Sequence, residues 1–323
     1  MNILLTGGAG YIGSHTSLSL IDSGHSVTIV DNLITGTKKL VPHKAKYFKC
    51  DIADRDAIKK ILKKKSFDIV MHFAGLTRVD ESVKFPERYE LNNFQKSKKF
   101  FDVCFENNIK KIIFSSTAGV YGDSNVEYVK ETDSLKPINP YAKSKCKIEE
   151  FLIESSKIKK INYTILRYFN VAGADERKRS GLVSKLSTNL IKVVCEVATN
   201  KRDKIIINGD NYKTKDGTAI RDFIHVSDIA EIHALAANSL MKNPESNIYN
   251  CGYGKGYSVR EVITEMEKII NKKLNVRNGP RREKDIAISI ANTEKFKKKF
   301  NWKPKFNNLN YILRTALEWE KNN

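Results

Sequence analysis

Short apolar runs and amphipathic stretches alternate along the first half of the chain. Strand-like runs at 2–6, 26–31, 68–73 and 111–115 are separated by helical patterns at 11–24, 54–65 and 82–108. Ile69-Val70-Met71-His72-Phe73 and Ile112-Ile113-Phe114 are nearly continuous apolar runs, the pattern of strands buried on both faces. Such strands joined by helices imply a parallel sheet with right-handed crossovers, hence an α/β fold. Asn139-Pro140 introduces a helix over 141–157, and Tyr163 to Arg167 reads as the next strand.

Beyond Asn170 the pattern loosens. A charged loop covers 175–180, helices are expected at 184–199, 226–241, 258–270 and 308–321, and strands at 204–207, 247–251 and 274–277. The expected division is a first domain at 1–170, to which 226–251 returns, and a smaller lobe from 171–225 and 252–323. The 323 residues are enough for both cores.

Composition narrows the function classes. A hydrophobic content of 41% with 29% charged residues is that of a globular chain, not a disordered one. No apolar run reaches the ~20 residues of a membrane span, and the chain opens directly on strand-like Asn2 to Thr6. A cytoplasmic protein without a membrane partner is therefore expected. Five scattered cysteines, Cys50, Cys104, Cys146, Cys195 and Cys251, read as reduced thiols, and neither they nor the six histidines have metal-site spacing. No metal is expected. The net charge of +20 raises nucleic-acid binding, but only 13 of the 57 basic residues are Arg and the lysines are spread in short groups such as Lys63-Lys64-Lys65. That distribution argues against a nucleic-acid partner, while the positive field would attract a small anionic ligand.

Three features carry chemistry. Gly7-Gly8-Ala9-Gly10-Tyr11-Ile12-Gly13 follows the first strand and opens the first helix. Its glycines let backbone approach phosphate, and the helix start offers N–H groups to a pyrophosphate. Asp31 ends the second strand; a carboxylate there accepts both ribose hydroxyls of NAD and repels the 2′-phosphate of NADP. Asp51-Ile52, after the next strand, is placed either to meet the adenine or to cap a loop. Finally, Tyr141 and Lys145 lie one helical turn apart, downstream of Ser115-Ser116-Thr117. Bringing a phenol from about 10 towards neutrality takes roughly 4 kcal/mol, about what one cation ~4 Å away supplies at an effective dielectric of ~20.

These motifs together identify the chain as similar to the extended short-chain dehydrogenase/reductase family, and within it to the UDP-glucose 4-epimerases. The likeness runs from Met1 to about Trp319 and adds His72-Phe73-Ala74-Gly75, Asn92-Asn93, Tyr121-Gly122, Arg167-Tyr168-Phe169-Asn170, Arg221-Asp222-Phe223 and Arg281-Arg282-Glu283. The resemblance implies a Rossmann-type doubly wound parallel sheet with a smaller α/β substrate-binding lobe at the C-terminal side. It implies bound NAD, a UDP-sugar substrate and a homodimer formed by helices near 82–108 and 141–157. Tyr141 would be the acid/base at the sugar 4-hydroxyl, Lys145 would bind the nicotinamide ribose and lower the Tyr141 pKa, and Thr117 would bond the same hydroxyl. Gly7, Gly10, Tyr11, Ile12, Gly13, Asp31, Asn32, Asp51, Ile52, Phe73, Ala74, Gly75, Asn92 and Phe169 would join these three in holding NAD. Asn170, Lys185, Arg221, Arg282, Asp285 and Ser289 would hold the substrate. For Arg221 an ion pair with Asp222 or Asp228 is the alternative, and His225, at the entry to a helix, is read as structural.

Departures from the pattern are as informative. Related 4,6-dehydratases carry an Asp-Glu pair immediately after the Thr; Ala118 and Gly119 stand there and cannot transfer protons. Lys185 replaces a usual Asn, Asn208 a usual aromatic, and Thr77 a usual Lys beside Arg78. Ser289 is small where a bulky Tyr favours unacetylated hexoses, so the resemblance allows N-acetylhexosamines as well.

Overall fold

The continuous apolar runs lie in the interior of one sheet. A computed structural model describes residues 1–124, 126–184, 187–282 and 285–323. In chain order its elements are β1 (Asn2–Thr6), α1 (Tyr11–Asp22), β2 (Ser26–Asp31), β3 (Lys46–Lys49), α2 (Arg55–Lys64), β4 (Ile69–His72), α3 (Val79–Lys84), α4 (Pro86–Tyr89), α5 (Lys96–Glu106), β5 (Lys111–Thr117), β6 (Tyr128–Val129), α6 (Pro140–Lys159), β7 (Asn162–Tyr168) and β8 (Asn170–Ala172). They continue with α7 (Leu190–Ala198), β9 (Ile205–Asn208), β10 (Ile220–His225), α8 (Val226–Lys242), β11 (Asn247–Cys251), β12 (Gly256–Ser258), α9 (Val259–Ile270), β13 (Val276–Gly279), β14 (Ile288–Ala291), α10 (Glu294–Phe300) and α11 (Leu309–Lys321).

The first unit comprises Met1–Val120, Pro137–Arg167 and Ile229–Tyr249. Its seven-stranded sheet runs β11-β7-β5-β4-β1-β2-β3, and β3–β2, β2–β1, β1–β4 and β4–β5 pair in parallel. This is a Rossmann-type doubly wound order, reversing between β1 and β4, where such sheets bind ligands beyond the strand ends. Ile69 to His72 is buried throughout, and Leu4, Val70, Ile112, Phe114 and Ile165 pack with Ile58, Phe100, Phe101, Ile148 and Leu152 of the helices. The unbroken helix expected over 82–108 is instead interrupted. Phe85-Pro86 breaks it, because proline lacks an N–H and disfavours helical backbone before it, and Glu90–Gln95 forms a π-helical turn before α5.

The second unit comprises Tyr121–Lys136, Tyr168–Asp228 and Asn250–Asn323. It therefore includes Tyr121–Lys136, which the hydrophobic pattern grouped with 1–170; the two-residue β6 pairs there with β14. Its main sheet runs β12-β10-β14-β6 with β8 on β10, and only β12 is antiparallel to β10. The strand at the centre, β10, occupies residues expected only to lead into a helix. His225, its last residue, is buried, meets the Phe306 ring in a tilted contact at 4.7 Å and lies 3.1 Å from the Thr315 hydroxyl through Nε2.

Candidate active site

The start of α6 is built by the signal that predicted it. The Asn139 side chain accepts from Ala142 N at 2.9 Å and Pro140 takes the first helical position. Tyr141 and Lys145 follow on one face, against the end of β5. Thr117 Oγ1 accepts from Gly119 N at 3.1 Å, which leaves its proton free to favour the phenolate form of Tyr141 nearby.

Lys145 is buried, donates to the Ser115 carbonyl at 2.8 Å and stands 4.9 Å from the centre of the Phe114 ring. One of its three protons is thus engaged by the strand. Burial pushes Tyr141 up to about 12, and the Thr117 bond pulls the other way. Burial lowers Lys145 to about 8, opposed by the carboxylate of Glu149. A phenol in this state needs a further positive charge to become a useful base near neutral pH.

The glycine loop fits a dinucleotide. Gly7 has φ +71, and a Cβ there would lie 2.6 Å from Ala74 N, so the loops after β1 and β4 can touch only as backbone. A Cβ on Gly13 would fall 2.3 Å from the Gly7 carbonyl, whereas Gly10, at the N-cap of α1, faces only that carbonyl at 3.3 Å. Tyr11 and Ile12 begin α1 directly after it. Asp31 accepts from Ala9 N at 3.0 Å and Leu33 N at 2.8 Å, one bond to each carboxylate oxygen. Burial raises its pKa against these two bonds, and each oxygen keeps a lone pair for a ribose hydroxyl. Asp51 accepts from Lys96 Nζ at 2.6 Å, Asn32 Nδ2 at 3.1 Å and Ala53 N at 2.9 Å. Burial raises its pKa, but these donors outweigh it and hold the carboxyl below its usual range. Ile52 is in the core, and Phe73 packs on His233 at 4.8 Å.

Asn93, not Asn92, is the anchor of the π-helical turn. It is 3% exposed, accepts from Leu76 N at 2.8 Å, donates to Leu76 O at 2.9 Å and reaches Ser144 Oγ at 3.3 Å. Asn92 only donates to Asn93 Oδ1 at 3.1 Å. A Cβ on Gly75 would lie 3.6 Å from Lys145 Nζ, so this clamp sets the backbone beside the ammonium. The extra residue of a π turn was the missed signal; such turns frequently mark functional sites.

The expected substrate residues lie in the second unit. Arg221 pairs with Asp285 at 2.8 Å, not with Asp222 or Asp228, and Tyr212 Oη donates to Asp285 at 3.0 Å. Ser289 is the β14 partner of Arg221 in the sheet register. Phe169 is buried, with its N–H bonded to the Cys251 carbonyl at 3.1 Å, and Asn170 pairs with Phe223 across β8–β10. Arg282 is exposed, and Lys185 lies outside the described residues. Among the described residues no group of three or more His, Cys, Asp or Glu could hold a metal ion, and no helix is long and apolar enough to cross a membrane.

Comparison with known proteins gives a consistent result. Residues 3–252 match the model of the NAD dependent epimerase/dehydratase family. A UDP-glucose 4-epimerase of Azospirillum brasilense is 39% identical over 99% of this chain and 92% of its own length. The crystal structure of the Bifidobacterium longum UDP-glucose 4-epimerase in complex with NAD+ and UDP is 34% identical, with TM-score 0.95, over 100% of this chain and 99% of its own. The UDP-Glc/GlcNAc 4-epimerase of Campylobacter jejuni is 41% identical, with TM-score 0.86, over 100% and 99%.

Proposed function

The chain belongs to the NAD dependent epimerase/dehydratase family, and from that premise we propose that it is an isomerase interconverting UDP-glucose and UDP-galactose at sugar C4. The observation that carries this reading is the placement of Tyr141 and buried Lys145 on α6 with Lys145 bonded to β5, the strand that ends at Thr117 and is followed by Ala118 and Gly119. Tyr141 is thereby left to move the proton, which suits reversible oxidation of one carbon and not elimination of water. When bound, NAD supplies the hydride acceptor and donor at C4 and, in its oxidised form, a positive charge.

Each step then has a residue. Tyr141, as the phenolate that a donated Thr117 hydrogen bond favours, takes the proton from O4 and becomes the phenol. The resulting 4-keto sugar presents its other face, and Tyr141 returns the proton as C4 is reduced with inversion. Lys145 and Asp31 hold the two riboses of the cofactor, and the loop from Gly7 to Gly13 cradles its pyrophosphate. In the second unit Arg221 and Arg282 neutralise the diphosphate of the substrate, with Asn170, Lys185 and Asp285 on its nucleoside and Ser289 beside the sugar. Mass spectrometry of nucleotide released from the purified protein should find NAD, and UDP-galactose should be converted to UDP-glucose. An unchanged substrate would reject the reading.

A second reading extends the first. Ser289 is small, and the Campylobacter jejuni relative is named for both UDP-Glc and UDP-GlcNAc. Acceptance of UDP-GlcNAc and UDP-GalNAc by this chain follows if Ser289 leaves room beside C2. A cytoplasmic location suits the free thiols, all buried or half-buried. Val79, Val83, Phe85 and Leu91 are 42–57% exposed on α3 and the segment after it, an apolar face for a second copy of the chain. Light scattering should give twice the 36.8 kDa chain mass.

A further inference from the structure

Two consecutive residues near the end of β5 each grip a different residue of α6. The Ser115 carbonyl accepts from Lys145 Nζ and the Ser116 hydroxyl donates to Glu149 Oε1, and Thr117, next in line, favours the phenolate form of Tyr141. Tyr141, Lys145 and Glu149 are four apart and share one helical face. Beyond Glu149 stands Arg167 of β7, with Nε 3.1 Å from both carboxylate oxygens and a terminal nitrogen 2.6 Å from Oε2. Glu149 and Arg167 are 0% and 2% exposed.

A buried ion pair is a weak source of stability, since apolar residues of similar size often serve as well or better. Its place one turn from a buried ammonium points to a different use. We propose that Glu149 is a positioning residue: fixed by Ser116 and Arg167, its carboxylate keeps Lys145 charged and sets α6 on β5 so that Tyr141 meets Thr117.

The other groups around Lys145 leave this task to Glu149. His72 of β4 is bonded through both ring nitrogens, to Thr6 Oγ1 at 2.7 Å and Ser97 Oγ at 2.8 Å. Burial, then Lys145 itself, holds it well below its usual pKa and so neutral. Tyr141 and Cys146 of α6 are each pushed up to about 12 by burial, and Tyr163 of β7 is also raised by burial. Asn93 and the Phe114 ring bring no charge. Arg167, the cation of β7, is itself held on the Glu149 carboxylate.

The inference deepens the 4-epimerase reading, and its test uses no substrate, so either can fail alone. In protein labelled with 13C at lysine Cε, the Lys145 signal is identified by its loss in Lys145→Met and followed against pH. The midpoint should lie near pH 8 in the unaltered chain. It should fall by about one to two units in Glu149→Gln, where Arg167 is left uncompensated, and rise in Arg167→Gln. The double variant, neutral at both positions, should return close to the starting value. Should Glu149→Gln fail to fold, Arg167→Gln decides alone. Shifts of opposite sign support the proposal; no shift, or shifts of one sign, overturns it.

Discussion

On the proposed reading the two units carry different parts of the reaction, and they are built differently. In the first, Thr117, Tyr141 and Lys145 stand on a seven-residue strand and a twenty-residue helix, each specified by a contiguous motif. In the second, Arg221, Asp285 and Ser289 stand on or beside strands of six and four residues paired across distant stretches of chain. Regular elements fix proton-transfer geometry, while short strands and loops can vary without disturbing it. Changes in the first unit should therefore remove chemistry, and changes in the second should redirect it.

The largest effect should follow Tyr141→Phe. With the phenol gone, kcat should fall by about 10²–10⁴, the usual contribution of general acid–base catalysis, while the purified variant keeps its NAD. Loss of NAD with the hydroxyl would mean that Tyr141 binds the cofactor more than it moves protons. Thr117→Val keeps shape and removes the hydroxyl that lowers the Tyr141 pKa. The phenol should then titrate higher, moving the rising limb of kcat to higher pH, with a loss of roughly ten- to a hundredfold at neutral pH. An unmoved limb would take Thr117 out of the proton path.

Lys145→Met tests what the first unit gives up for its chemistry. The folded pKa of about 8 lies below that of an unfolded lysine, so the unfolded chain binds the proton more readily. The charge therefore destabilises fully below pH 8, and the penalty fades as pH rises towards ~10.4. At pH 7 the variant should be inactive yet more stable by about 1–3 kcal/mol in urea unfolding, with the gain vanishing above pH ~10. The smallest effect belongs to the second unit. Ser289→Tyr should leave kcat for UDP-galactose within about twofold and abolish any turnover of UDP-GalNAc, as a specificity change made by a clash would.

Legibility in the sequence followed the same division. The glycine loop, Asp31 and the Tyr141/Lys145 pair are read from neighbouring residues because their geometry is local: a turn, a strand end, one helical turn. Lys145 points to the Ser115 carbonyl because β5 ends there, and spacing along α6 contains nothing about β5. Asn93 and Asn92 are alike in sequence, and only the π-helical turn separates clamp from neighbour. Arg221 and Asp285 were both named as substrate residues, yet their pairing joins residues 64 apart and is invisible to periodicity. β10 escapes the pattern because Arg221 and Asp222 interrupt its apolar residues, and its place is set by β8, β12 and β14 beside it.

The central claim is reversible oxidation at C4, with Tyr141 moving only the O4 proton. It is tested most directly with UDP-galactose deuterated at C4, incubated in ordinary water with the purified protein and no added nucleotide. The expected product is UDP-glucose with the deuterium still at C4. Product carrying solvent hydrogen at C4, or no conversion without added NAD, would contradict it.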